Sequence, residues 1–230
     1  LGCYGHPQHK TPSLDRLAST GVQFATCYTA CVCHPTRFEI MTGQYGCHNK
    51  VFQFPARPGG PKPNSPEDQI INHVTFARVL KEAGYATALA GKWQLSGRVP
   101  TLVTENGFDE YLMWAYKHNL PEGVEHTGGW EGKPGGKTSR YWHPSLVQNG
   151  RYVNTGPDDY GPDMFTEFAI EFAARHKQKP FFIYYPMALT HAPYYSTPAT
   201  DPDQKEKFRH SKDKFKENVE YTDALVGRIV

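Results

Sequence analysis

An amphipathic helix followed directly by a buried strand constrains the fold of this chain more than any other feature. The helix is predicted from Thr75 to Ala83, where Thr75 can act as the N-cap and apolar residues recur at helical spacing until Gly84 ends the pattern. The next residues, Tyr85 to Ala90, are almost all apolar and form a predicted buried strand. A helix–strand unit of this kind favours an α/β fold with a mostly parallel central sheet and helices on both faces.

Other segments fit the same architecture, and 230 residues with 38% hydrophobic content suffice for one sizeable α/β core. A helix is predicted from Pro12 to Gly21, because Thr11 can cap its first turn and proline suits that position. The Asn149-Gly150 pair is typical of a tight hairpin turn. The remaining predicted elements are helices at 164–175 and 215–229, strands at 22–28 and 181–185 (the second a central strand), and a hairpin at 145–153.

Charge and hydropathy exclude two classes of partner. The formal net charge is only +2 and the sequence has no pronounced basic run, so a nucleic-acid partner is not indicated. No apolar stretch approaches the roughly 18 residues that a membrane span needs. The sequence therefore predicts neither a nucleic-acid-binding surface nor a membrane span.

The run Cys33-His34-Pro35-Thr36-Arg37, followed by Thr42-Gly43, carries the strongest chemical signal. Arg37 lies one helical turn after Cys33, so its guanidinium can lie over the functional group at position 33. Pro35 suits the first turn of a helix, and a helix N-terminus offers free N–H groups to an anion. The run therefore predicts a site with a nucleophile and an oxyanion-binding cation.

Five segments, in order along the chain, match one set of motifs. They are Leu1-Gly2-Cys3-Tyr4-Gly5 with Thr11-Pro12-Ser13-Leu14-Asp15-Arg16-Leu17, Cys33 to Gly43, Ala90-Gly91-Lys92-Trp93, Gly107-Phe108-Asp109, and Leu189-Thr190-His191-Ala192-Pro193. Together they resemble the type I, formylglycine-dependent sulfatases of the alkaline-phosphatase-like superfamily. Thr36 replaces the serine that is usual in the main signature and keeps its hydroxyl group. The resemblance implies that residues 1–230 are a single catalytic-domain fragment, lacking the N-terminal strand with metal ligands and the C-terminal part.

The resemblance also implies a role for each site residue. Cys33 would be oxidised to formylglycine by a formylglycine-generating enzyme, and the hydrated aldehyde would attack sulfur while Arg37 holds its hydroxyl group. Lys92 and His191 would bind the sulfate, and His191 could protonate the leaving oxygen. Both follow predicted strands, beyond whose carboxyl ends ligands gather in open α/β sheets. Gln94 replaces a histidine of many relatives, and it can donate a hydrogen bond to substrate but cannot shuttle a proton.

The implied substrate is a sulfated carbohydrate or a small aryl sulfate, and the implied cation is Ca²⁺ or Mg²⁺. Of the ligands expected for that cation, only Cys33, as formylglycine, lies in the chain. One acidic pair would precede Leu1, and an Asp-Asn pair would follow Val230. A periplasmic, secreted or lysosomal location would suit the family. The four acids that do not match the ligand motifs are Asp15, Asp109, Asp163 and Asp223.

Two other functions stay open. A phosphonate or phosphodiester hydrolase would have a similar signature, and a non-catalytic zinc or carbohydrate-binding module is the alternative from another class. Cys31-x-Cys33 lacks the spacer of a zinc knuckle, and Cys3, Cys27 and Cys47 are expected to be small buried apolar residues. The zinc ligands would come from Cys27, Cys31, Cys33, Cys47, His34 and His48, and a sugar-binding rim from His118, His126, His143, Trp130 and Trp142.

Overall fold

The computed structural model describes residues 1–55, 69–95, 102–115 and 139–230. Their strands form one five-stranded sheet in the order β4-β3-β2-β1-β5. Strand β1 pairs in parallel with β2 on one side and β5 on the other, whereas β2–β3 and β3–β4 are antiparallel pairs. The strands are β1 (Ala86–Gly91), β2 (Glu110–Trp114), β3 (Leu146–Gln148), β4 (Arg151–Val153) and β5 (Phe181–Tyr184).

Six α-helices belong to the described residues. They are α1 (Pro12–Thr20), α2 (Cys33–Thr42), α3 (Gly46–Asn49), α4 (Phe76–Glu82), α5 (Gly161–His176) and α6 (Phe215–Ile229). Short 3₁₀ turns add Gly2–Tyr4, Ile70–Asn72, Thr104–Asn106 and Lys212–Lys214. Within this part of the chain, none of the helices combines the length and the apolar character required to cross a bilayer.

The sheet separates two apolar cores, as expected for helices on both faces. Alternate residues of β1 face opposite sides, because side chains alternate along a strand. Ala86, Ala88 and Ala90 belong to the core that includes the phenylalanines of α5, and Leu89 belongs to the core that includes Phe38 of α2. The predicted α/β fold is confirmed.

The hairpin at the far edge of the sheet forms where the sequence predicts it. Asn149 and Gly150 have φ angles of 47° and 82°, the left-handed values that a two-residue hairpin turn requires. The Asn149 side chain also accepts a 2.7 Å hydrogen bond from the Tyr111 main chain. The turn is thereby tied to β2.

Helix α1 has the predicted position but a different cap. The Thr11 hydroxyl accepts from the Gly2 main chain and donates to Asp15, so it does not cap the helix. The N-terminal N–H groups of Ser13 and Leu14 instead donate to the buried carboxylate of Asp223, at 3.1 and 2.8 Å. A carboxylate suits the positive end of a helix, so Asp223 joins α1 to α6.

Two strand predictions are wrong. Residues 22–28 have no regular structure, and Val22 and Tyr28 are 80% and 90% exposed. No strand among the described residues pairs with this segment, so it lacks the hydrogen-bond ladder that would make it a strand. The strand predicted as central, β5, lies at an edge of the sheet with Phe181 39% exposed, and β1 occupies the middle of the parallel part.

Candidate active site

The predicted site residues meet beyond the carboxyl ends of the parallel strands β1 and β5. Because β1 and β5 are parallel, their carboxyl ends lie at the same end of the sheet, and so do the segments that follow them. Lys92 directly follows Gly91, and the loop after β5 carries His191. The segments that follow β1 and β5 lie close together, because the Lys92 main chain donates to the Pro186 carbonyl at 3.2 Å. A Cβ on Gly91 (φ 127°) would lie 2.5 Å from that carbonyl oxygen, so a side chain there would clash with it.

Helix α2 begins at Cys33, and polar contacts join it to the main chain of the segment that follows β1. Arg37 donates from Nη1 to the Lys92 carbonyl at 2.6 Å, and His34 Nδ1 lies 3.1 Å from the Gln94 carbonyl. His34 is 4% exposed, so the contact is shielded from water. The Thr36 hydroxyl donates within the helix, to the carbonyl of Val32 at 2.8 Å.

Lys92 is a buried cation beside Cys33. Lys92 is 3% exposed, and its ammonium group lies next to the Cys33 side chain. Burial lowers the pKa of Lys92 to about 8; Cys33 opposes this decrease, whereas the guanidinium groups of Arg37 and Arg140 add to it. Lys92 is therefore mostly protonated at neutral pH, and three positive charges are concentrated around a small volume.

Arg140 is the site residue that sequence reasoning missed. It is 1% exposed, and its Nη1 lies 2.6 Å from Nδ1 of His191. Its guanidinium lies 5.5 Å from the centroid of the Trp114 ring, and the Trp114 indole donates to the Arg140 carbonyl at 2.9 Å. No motif marks Arg140, because its partner lies 51 residues away along the chain.

Tyr141 holds the main chain of the same loop. Its hydroxyl lies within hydrogen-bond distance of two carbonyls, those of Ala188 and His191. Burial raises the pKa of Tyr141 far above its ordinary value, so the hydroxyl stays a donor. Two successive residues, Arg140 and Tyr141, thus fix His191 by its ring and by its backbone.

Gln94 is near this cluster, but its predicted substrate contact stays a prediction. Its φ of 50° is unusual for a residue other than glycine. Its side-chain Oε1 is buried and has no hydrogen-bond partner within the described residues. An acceptor of this kind is costly to bury unless something donates to it.

Trp142 does not form a sugar-binding rim. It is 2% exposed, its indole donates to the Ser196 carbonyl at 2.8 Å, and its ring packs 4.7 Å from that of Tyr160. His143 is half-buried beside it. The other predicted rim residues, His118, His126 and Trp130, lie outside the described residues.

The cysteines do not form a zinc site in the part of the chain that the structure describes. No group of three or more His, Cys, Asp or Glu side chains in that part could hold a metal ion. Cys27, Cys31 and Cys47 are exposed and Cys3 is partly exposed, so the expectation of buried cysteines is wrong. Cys27 and Cys31 lie in the mostly exposed irregular segment before α2, where the Cys31 thiol contacts the Phe52 carbonyl at 3.8 Å.

The four acids outside the ligand motifs have structural partners. Asp15 accepts from the Cys3 main chain, Asp109 from Thr87, Asp163 from Tyr221, and Asp223 from α1. The charged side chains that act on Lys92, next to Cys33, include the cations Arg37 and Arg140. These residues do not fit a complete shell for a divalent cation, which wants six to eight oxygens in the case of Ca²⁺.

A separate surface cavity of about 460 Å³ lies beside α5. Its lining does not include Cys33, Lys92 or His191. Five acids contribute to it, so its charge is unsuited to an anionic substrate. They are Asp158, Asp159, Asp163, Glu167 and Glu171.

Comparison with known proteins agrees with the geometry. A family model described as sulfatase matches residues 1–230. The chain belongs to the sulfatase family. Bovine arylsulfatase A is 32% identical over 224 residues, which cover 85% of this chain and 39% of that protein. An N-acetylgalactosamine-6-O-sulfatase of Bacteroides thetaiotaomicron is 30% identical over 240 residues, which cover 84% of this chain and 46% of that protein.

Solved structures show the same relationship. The crystal structure of Ps i-CgsB superposes with a TM-score of 0.70 at 25% identity, covering 99% of this chain and 50% of that one. A second structure, solved in complex with its substrate D-glucosamine-2-N,6-O-disulfate, has a TM-score of 0.58 at 27% identity and covers 86% of this chain and 33% of that one. The chain spans less than half the length of the two sulfatases compared above.

Proposed function

We propose that the protein hydrolyses sulfate monoesters at the site around Cys33. The observation that carries this proposal is the buried ammonium of Lys92 beside Cys33, within the field of Arg37 and Arg140. A sulfuryl group bears negative charge on its oxygens, and fixed cations in a water-poor site stabilise such charge strongly. Membership of the sulfatase family supports the same reaction.

Each residue has a distinct part in this proposal. Lys92 binds sulfate oxygens, because it is buried beside the reacting position and mostly charged. His191 donates a hydrogen bond to the ester from the opposite loop. Arg37 balances charge one helical turn from Cys33 and, through the Lys92 carbonyl, sets the position of the lysine backbone. Gln94 contributes a hydrogen bond to substrate.

Cys33 is proposed to act as formylglycine, formed by a formylglycine-generating enzyme. Together with a divalent cation, Ca²⁺ or Mg²⁺, the hydrated formylglycine would supply the nucleophilic hydroxyl group. Cys33 is the one expected cation ligand among the described residues.

The proposed substrate class is a sulfated carbohydrate. Two of the similar proteins point to sulfated amino sugars: one is named an N-acetylgalactosamine-6-O-sulfatase, and the other is solved with its substrate D-glucosamine-2-N,6-O-disulfate. Small aryl sulfates would serve as assay substrates, in keeping with the similarity to arylsulfatase A.

The test uses the full-length protein produced together with a formylglycine-generating enzyme. Mass spectrometry of the peptide that spans Cys33 should show loss of the thiol and gain of the aldehyde. That preparation should hydrolyse 4-nitrophenyl sulfate and N-acetylgalactosamine 6-sulfate, and the matched Cys33→Ala variant should hydrolyse neither. Faster turnover of an aryl phosphonate ester than of the sulfate would favour the phosphonate hydrolase instead. An unmodified thiol with stoichiometric zinc would favour the binding module.

A further inference from the structure

We propose that Arg140 is a positioning residue that holds His191 as the neutral tautomer with its proton on Nε2. This inference rests on the proposed function, in which His191 binds the substrate. The carrying observation is the 2.6 Å separation between Arg140 Nη1 and His191 Nδ1. The contact joins two side chains that no sequence motif connects.

The tautomer follows from what a guanidinium can offer. Arginine has five N–H donors, no acceptor, and a charge that it does not lose in proteins. A contact at this distance therefore requires a lone pair on His191 Nδ1. An imidazolium, with N–H groups on both nitrogens, would set one of them against the guanidinium. The neutral ring with Nε2–H is the form that the contact selects.

A second neighbour of Nδ1 makes the inference specific. The Ala192 carbonyl oxygen lies 2.7 Å from the same nitrogen and could accept from an Nδ1–H group. The two contacts need opposite protonation of Nδ1, so only one can be a hydrogen bond. A 2.6 Å contact between two N–H donors, one of them on a cation, is more unfavourable than a 2.7 Å contact between two neutral acceptors. We therefore assign the bond to Arg140.

Arg140 is itself held firmly enough to impose this choice. The Trp114 ring lies under its guanidinium and the Trp114 indole bonds its carbonyl, so the end of β2 holds both parts of the residue. Tyr141 fixes the His191 main chain independently. The consequence is chemical: a neutral Nε2–H ring donates a hydrogen bond to a sulfate oxygen but is a poor source of a full proton.

The decisive measurement is the ¹⁵N chemical-shift pattern of the His191 ring in the full-length protein labelled at histidine, assigned by difference with His191→Gln. We expect a bare Nδ1 and a protonated Nε2 in the parent. In Arg140→Met the ring should turn to Nδ1–H, donating to Ala192, or to a mixture of tautomers. A parent ring with Nδ1–H would overturn the proposal.

Kinetics on the same variants supply a second test. Arg140→Met should lower kcat/KM for a sulfate ester roughly tenfold to a hundredfold, because a misplaced contact group costs this much. Arg140→Lys, which keeps a charge and a donor, should recover part of the loss. Tyr141→Phe is the matched control, expected to lower thermal stability and leave the His191 tautomer unchanged. Parental kcat/KM and an unchanged tautomer in Arg140→Met would refute the role of Arg140.

The two proposals fail separately. The tautomer is read without turnover, so it tests Arg140 even if the parent shows no sulfatase activity. Should Arg140→Met not fold, the parent spectrum and Arg140→Lys still decide the question. Sulfatase activity combined with an Nδ1–H ring would keep the proposed function and reject this inference.

Discussion

Arg37 donates a 2.6 Å hydrogen bond from its Nη1 to the main-chain carbonyl of Lys92. The bond spans 55 residues and joins the first turns of α2 to the segment just after β1. One arginine thus sets the distance between the position proposed for the nucleophile and the cation proposed to bind sulfate. Burial raises the pKa of Tyr184, and the positive charge of the same guanidinium opposes the rise.

Replacing Arg37 with lysine should separate positioning from charge. Arg37→Lys keeps the positive charge but loses the planar guanidinium that reaches the Lys92 carbonyl. We expect kcat/KM to fall by roughly a hundredfold, because the loss displaces Lys92 relative to Cys33. The check is steady-state kinetics with formylglycine content measured by mass spectrometry, so that poor modification is not mistaken for poor catalysis. Unchanged kinetics at equal formylglycine content would contradict the positioning role.

Removing the buried charge of Lys92 should raise stability and strongly impair turnover. Lys92 is 3% exposed among other cations, and isolating a charge from water in such surroundings is unfavourable. Lys92→Met keeps the apolar stem, so its melting temperature should exceed that of the parent. Its kcat/KM should fall about 10²- to 10³-fold, as for loss of one donor aimed at a transition-state oxygen.

The matched control for that experiment is Lys205→Met. Lys205 is an exposed lysine whose ion pair with Asp203 is on the surface, and such pairs contribute little to stability. Neither the melting temperature nor kcat/KM should change appreciably in this variant. If Lys92→Met instead melted lower and kept its turnover, Lys92 would be a structural residue only.

Asp109 should make part of the stability depend on acidic pH. Burial alone would raise the pKa of Asp109, but hydrogen bonds from Lys81 and Thr87 outweigh it and lower the pKa below 3.8. A carboxylate whose pKa is lower in the folded state stabilises the fold above the unfolded value, and this contribution disappears as pH falls through the folded value. The free energy of unfolding at neutral pH should therefore be higher for the parent than for Asp109→Asn. Denaturant titrations should show this difference shrinking below about pH 4.

The sequence predicts those parts of the fold whose signal is local. The Asn149-Gly150 turn, the strand at Ala86–Gly91 and the amphipathic helix α5 each depend on a few neighbouring residues, and all are confirmed. The strand expected at residues 22–28 is wrong, because a strand needs a partner and its own residues do not identify one. The position of β5 at the edge of the sheet is likewise set by pairing with distant strands, which its own residues do not identify.

The same distinction between local and long-range signals applies to the candidate site. Cys33, Arg37, Lys92 and His191 are predicted as site residues because each lies in a short motif. Arg140 is not predicted, because its contacts with His191 and Trp114 are created only by the fold. Trp142 shows the opposite error: a residue type that suits a sugar-binding rim is buried against Tyr160.

Restoring a histidine at position 94 should change how leaving groups are discriminated. Gln94 can donate a hydrogen bond but cannot release a proton, whereas histidine titrates near neutral pH. Protonation of the leaving oxygen matters most for alkyl sulfates, whose alcohols are weak acids. Gln94→His should therefore raise the ratio of alkyl to aryl sulfate turnover. Gln94→Asn, with the same chemistry and a shorter reach, is the control; equal ratios in both variants would contradict the proton-transfer argument.

Residues 1–230 by themselves should bind Ca²⁺ weakly and leave sulfate esters intact. Ca²⁺ prefers six to eight oxygen ligands, several of them carboxylates. The described surroundings of Cys33 instead hold Lys92, Arg37 and Arg140, whose charges repel a divalent cation. Without a cation, a hydroxyl group at position 33 keeps a high pKa and is a poor nucleophile. Calorimetric titration with Ca²⁺ and an aryl sulfate assay should show no tight binding and no turnover in this chain, and both in the full-length protein. Micromolar binding by residues 1–230 would mean that the chain holds cation ligands beyond Cys33.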